Sequence, residues 1–93
     1  MSKVRILVAD DHAGFRELVE GMLQPTFEVI GAVDNGKALV ETARRLQPDI
    51  IVADISMPIL NGIEAAKQLK ESGLRAKVIF LTVHSDPDFV RAS

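Results

Sequence analysis

Ile50-Ile51-Val52-Ala53-Asp54, continuing into Ile55-Ser56-Met57-Pro58, is the stretch on which the fold turns, because four apolar residues in a row end in a carboxylate. Half-exposed strands alternate apolar and polar residues, whereas a parallel strand covered on both faces is apolar throughout, so 50–54 reads as a buried central strand. Two further segments share its character. Val4-Arg5-Ile6-Leu7-Val8-Ala9 runs into Asp10-Asp11, and Lys77-Val78-Ile79-Phe80-Leu81-Thr82 ends in a hydroxyl. In open α/β sheets ligands bind outside the carboxyl ends of the strands, so these three ends are expected to share one site.

The intervening segments carry helical spacing. Phe15, Leu18, Val19, Met22 and Leu23 recur at i, i+3, i+4, i+7 and i+8, one apolar face that Pro25 terminates. Residues 27–32 form a short strand whose Glu28 suits a sheet edge. Asp34-Asn35-Gly36 opens a second helix, with Leu39, Ala43 and Leu46 on one face and Arg44-Arg45 near the end that favours cations. Gln47-Pro48-Asp49 stops it. Asn61-Gly62-Ile63-Glu64 has the spacing of a capping box, predicting a third helix that reaches about Glu71 and is closed by Ser72-Gly73. Ser85-Asp86-Pro87-Asp88 resembles another helix start. The order β-α-β-α-β-α-β predicts an α/β, doubly wound parallel sheet with right-handed crossovers.

Composition narrows the chemistry. Ninety-three residues, 47% hydrophobic and 26% charged, suit one folded domain and exclude disordered or fibrous classes. A net charge of −2 gives no reason to expect nucleic acid or an anionic membrane as partner of this segment. The absence of cysteine excludes disulfides and thiol catalysis, and two histidines are too few for a zinc site built from His and Cys, which leaves a hard, oxygen-liganded cation. No apolar run approaches the roughly 20 residues that span a bilayer, and Met1-Ser2-Lys3 shows no charged-then-apolar leader, so a cytoplasmic location is expected.

The loop after the first strand decides between site chemistries. A loop that binds nucleotide phosphate is glycine-rich and offers bare amides, but this one offers Asp10 and Asp11. Adjacent aspartates at a helix start can simply cap it. A third carboxylate, Asp54 at the end of the neighbouring strand, makes the repulsion costly unless a divalent cation compensates, and Mg²⁺ is the cation held by one or two carboxylates, water and phosphate oxygens.

Asp10-Asp11, Asp54 in the pattern Asp-x-x-Met-Pro, Gly62 opening the next helix and Thr82 ending the following strand together resemble the receiver domain of bacterial two-component response regulators. The resemblance covers the whole chain. It implies a flavodoxin-like fold, Mg²⁺ dependence, and a signalling domain that accepts a phosphoryl group from a sensor histidine kinase rather than an enzyme. Carried over by position, it implies Asp54 as phosphoacceptor, Asp11 as direct Mg²⁺ ligand and Asp10 as a ligand largely through water. The backbone carbonyl of Ser56 completes the implied ligand set, and Thr82 matches the switch hydroxyl. Leu81-Thr82-Val83-His84-Ser85 is closest to the NarL/LuxR-type subgroup, which implies transcription regulation through a DNA-binding output domain outside this sequence. His12 and His84 read as loop histidines without an assigned role, and Met57, Pro58 and Gly62 as residues that shape and pack the loop.

Receiver domains continue into a fifth strand ending in a lysine and a fifth helix, so residues 1–93 are expected to be a receiver domain incomplete at its C-terminus, with strand order 2-1-3-4. Two rivals follow. A nucleotide- or flavin-binding module shares the architecture but not the acidic loop; a receiver impaired in phosphorylation and acting as a protein interaction module is the other. The expected apolar edge Val78-Ile79-Phe80-Leu81 predicts self-association, by strand pairing or exchange of the C-terminal segment.

Overall fold

The computed structural model describes residues 3–81. Four parallel strands, β1 (Arg5–Ala9), β2 (Glu28–Val33), β3 (Ile50–Asp54) and β4 (Lys77–Leu81), alternate with helices α1 (Ala13–Leu23), α2 (Gly36–Leu46) and α3 (Gly62–Glu71). The sheet order is β2-β1-β3-β4, which puts the two apolar runs of the sequence side by side at its centre. Ile6 to Ala9 pair in register with Ile50 to Ala53, so Asp10 and Asp54 leave the same edge of the sheet.

Alternation of side chains along a strand divides the core in two. Leu7, Ala9, Ile51 and Ala53 face α2 and α3, where they pack with Leu39, Val40, Ala43, Ala65 and Leu69. Ile6, Val8 and Val52 face the opposite way, onto Val19 of α1 with Phe15 and Leu23 beside it. Helices on both faces explain why β1 and β3 show no polar alternation. Glu28 is exposed on the edge strand β2, as its charge predicts.

Local signals act largely as their chemistry dictates. Asn35 and Asn61 accept hydrogen bonds from Ala38 N and Glu64 N, each 2.8 Å, and so cap α2 and α3. The capping box is only half formed, because Glu64 turns its carboxylate towards Lys67, 4.0 Å away and one turn along the exposed face, instead of back to Asn61. At the end of α2, Gln47 takes the left-handed conformation (φ 51°) that Pro48 then follows. The expected apolar face of α1 is narrower than its spacing suggests. Val19 is buried, but Leu18 and Met22 are largely exposed, because among the described residues no element packs over that side of the helix.

Gly36 is pressed against Leu60, where a side chain would collide with the Leu60 carbonyl. This close approach ties the start of α2 to the loop between β3 and α3. Among the described residues, β4 is paired on one side only, and its Ile79 and Phe80 are exposed. The helix start proposed at Ser85 lies outside the described residues. No helix among the described residues is long and apolar enough to cross a membrane.

Candidate metal and phosphoacceptor site

The two central strands end where the sheet opens, and each delivers a carboxylate there. Asp10 follows β1 and is anchored to the edge strand by its own amide, which donates to Val33 O at 3.0 Å. Asp54 is the last residue of β3. Both are buried, at 4% and 6% exposure, while Asp11 stands on the outer rim. Oxygens from Asp10, Asp11 and Asp54 and a ring nitrogen of His12 all lie within 4.8 Å of one another.

The loops behind the carboxylates hold them in place. Asp10 Oδ1 accepts from the His12 amide at 2.8 Å, a local turn that starts the chain into α1. Arg16, one turn into that helix, donates through Nη1 to the Asp10 carbonyl at 2.7 Å. Asp54 Oδ1 accepts from the Ser56 amide at 3.3 Å. Gly62 N donates to Ile55 O at 2.8 Å, while Met57 is buried in the core beneath the loop. Between these points Leu60 N donates to Pro58 O at 2.7 Å, closing a tight turn that forces Ile59 to φ 70°. A β-branched residue pays strain in that region, so the loop is held by its two ends rather than by local preference.

Three carboxylates in so small a volume repel. Burial raises the Asp54 pKa above the ordinary 3.8, and the neighbouring charges of Asp10 and Asp11 raise it further, while backbone hydrogen bonds from Ser56 and Ile55 work in the opposite direction. Among the described residues no lysine or arginine forms a salt bridge with these three carboxylates. An all-oxygen donor set of this kind fits a hard divalent cation, which removes the repulsion that raises Asp54.

Of the expected site residues Asp10, Asp11, Asp54 and Ser56, the fold brings the three carboxylates within 4.8 Å of one another, and Ser56 meets them through its amide, which donates to Asp54 Oδ1. Thr82 and His84 lie outside the described residues. Two contributors escaped sequence reasoning. His12 places Nδ1 3.0 Å from Asp11 Oδ1 and 3.3 Å from Asp10 Oδ1, for which its adjacency to the aspartates was the available signal. Arg16, six residues from Asp10, reaches the loop only because α1 folds back over it.

Comparison with known proteins gives this edge its family. The family model described as response regulator receiver domain matches residues 6–93. The chain belongs to that family. Phosphoryl acceptance on an aspartate is the general function of receiver domains. This one is 38% identical over 91 residues to the transcriptional regulatory protein DegU of Brevibacillus brevis, across 96% of this chain and 39% of that protein. It is 45% identical over 71 residues to a protein-glutamate methylesterase/protein-glutamine glutaminase of Idiomarina loihiensis, across 74% of this chain and 18% of that protein. The chain thus spans about two fifths or less of these curated relatives. Among solved structures it superposes on the signal receiver domain of NarL from Mycobacterium tuberculosis with a TM-score of 0.85 and 32% identity, covering 98% of this chain and 75% of that one. The response regulator domain of Thermotoga maritima CheB gives 0.80 and 35%, covering 97% and 70%. The receiver domain of this chain therefore has relatives attached both to transcriptional regulators and to an esterase.

Proposed function

We propose that Asp54 is the phosphoacceptor of this receiver domain and that a sensor histidine kinase is its phosphate donor. The observation that carries this is the position of Asp54: a buried carboxylate at the open end of the central strand, with two further carboxylates within ligand distance of one ion. In the transfer, an Asp54 oxygen attacks phosphorus in line, the bond from phosphorus to the donor nitrogen breaks, and an acyl phosphate remains on Asp54. Asp11 and Asp54 would hold Mg²⁺ directly, Asp10 through water, and the Ser56 carbonyl would complete the protein's share. When bound, the ion neutralises the charge that gathers on the transferring oxygens. Arg16 holds the Asp10 carbonyl and so fixes the first loop against α1, and the Ser56 amide orients the Asp54 carboxylate. Thr82 is the hydroxyl proposed to bind the phosphoryl group and couple it to conformation.

In this reading the chain is a cytoplasmic signalling domain and not itself an enzyme acting on another substrate, and its likeness to DegU supports a transcriptional output carried outside this sequence. The test is incubation with a small phosphodonor and Mg²⁺ followed by intact mass. One phosphoryl group on the parent and none on Asp54→Asn is expected; phosphorylation that survives in the variant overturns the assignment.

A second reading, an interaction module, rests on β4. With Ile79 and Phe80 exposed on a strand that is paired on one side among the described residues, a second copy of the 93-residue chain is proposed to cover that edge. Light scattering at micromolar concentration is expected to give a dimer or larger, and a stable monomer refutes it.

A further inference from the structure

We infer that the groove between α2 and α3 is a docking site for an acidic amphipathic helix of a partner protein, one in which two carboxylates seven residues apart flank an apolar residue. None of the aspartates at the strand ends lines this groove, and the inference does not depend on their chemistry.

Helical spacing builds the groove. Lys37, Val40, Glu41 and Arg44 fall at i, i+3, i+4 and i+7 of α2 and so form one stripe along it, with Gln68 of α3 on the other side. Ile59 and Leu60 of the loop between β3 and α3 close one end, and the space enclosed is about 400 Å³. Val40 is buried at the floor, whereas Lys37, Glu41 and Arg44 are exposed at the rim. Because Gly36 lets Leu60 press against the start of α2, the loop is a fixed wall of the groove.

Ile59 is the feature that the fold itself does not explain. It is 77% exposed at φ 70°, so it bears backbone strain while contributing almost no apolar burial. An apolar side chain held in place at the rim of a groove gains its burial when a partner's apolar residue packs against it.

Charge then selects the occupant. Lys37 and Arg44 stand roughly 10 Å apart along the axis of α2, seven residues at about 1.5 Å each. Among the described residues neither forms a salt bridge, although Glu41 lies between them. With Glu41 counted, the rim carries two positive charges and one negative, on a chain whose net charge is −2. A helix laid alongside α2 repeats its spacing, so acidic side chains seven apart reach the two cations while an apolar residue between them meets Val40, Ile59 and Leu60. Glu41 repels a third acid in the middle, which makes the groove prefer acid, apolar, acid over a plain run of acids.

The test is fluorescence anisotropy of a labelled, helix-stapled peptide of about 14 residues, with glutamates seven apart and a leucine midway, titrated with the 93-residue chain. Saturable binding is expected. Lys37→Glu combined with Arg44→Glu should weaken it about 10-fold or more, as should Ile59→Gly, while Arg45→Glu, next in sequence but off the stripe, should change it by less than about twofold. Circular dichroism of each variant reports that it is folded. Amide resonances of Val40, Ile59 and Leu60 are expected to shift on binding, and those of Ile79 and Phe80 on β4 are not. The inference is overturned by an absence of saturable binding, by equally tight binding of a peptide in which glutamate replaces the leucine, by a loss in Arg45→Glu equal to that in the double variant, or by shifts confined to β4.

Discussion

Gly62 rests directly on Asp54: a methyl group at Gly62 would run into the Asp54 carbonyl, so the first residue of α3 is packed against the last residue of β3. The cap of α3 and the acidic site are one rigid unit. Gly62→Ala is expected to cost about 1–3 kcal/mol, because the colliding atom is backbone and the loop must shift as a whole. Urea unfolding measures the loss, and a reduced phosphorylation yield at equal folded fraction reports the displacement of Asp54.

Asp54→Asn is expected to stabilise the metal-free chain at neutral pH. The folded-state pKa of Asp54 is raised, first by burial and then by Asp10 and Asp11, so its contribution to stability is fully present below the unfolded value near 3.8 and is lost as pH rises through the folded value. Asn removes that loss. A gain in Tm should appear at pH 7 and shrink as the pH falls towards 3.8. Thermal melts of both proteins across that window check it; a gain independent of pH is evidence against the electrostatic account.

Mg²⁺ is expected to reverse the same repulsion in the parent chain. At a free concentration 100 times its Kd the ion should add about 2.7 kcal/mol, by mass action on the folded state alone. Asp11→Ala should lose most of this, whereas Arg16→Ala, which removes a hydrogen bond to the Asp10 carbonyl, should weaken it less. Melting curves with and without the ion measure both.

Ile59 stores strain that glycine would release. It is 77% exposed and sits at φ 70°, a region that costs a residue with a Cβ about 1–2 kcal/mol, with little burial in return. Ile59→Gly is expected to raise stability by about 0.5–1 kcal/mol after the entropy cost of glycine in the unfolded chain. Chemical denaturation tests the sign, and a destabilised variant would show that the Ile59 side chain has packing value.

The elements of this domain were legible in its sequence because they follow from local geometry. An unbroken apolar run placed β3, recurrence at 3.6 placed α1 and α2, and the spacing after Asn61 placed α3, while Asn35 and Asn61 mark helix starts because a short side chain can reach the free amides. Asp10, Asp11 and Asp54 were legible as a site because parallel strands end on the same side, a rule of topology that needs no coordinates. Packing decided the rest. Leu18 and Met22 share the spacing of Val19 yet stay exposed, since burial depends on which element lies opposite. Glu64 had two partners within reach of its side chain and took Lys67. Gly36 against Leu60 and Gly62 against Asp54 each depend on how separate segments meet in space, which periodicity along one segment does not encode.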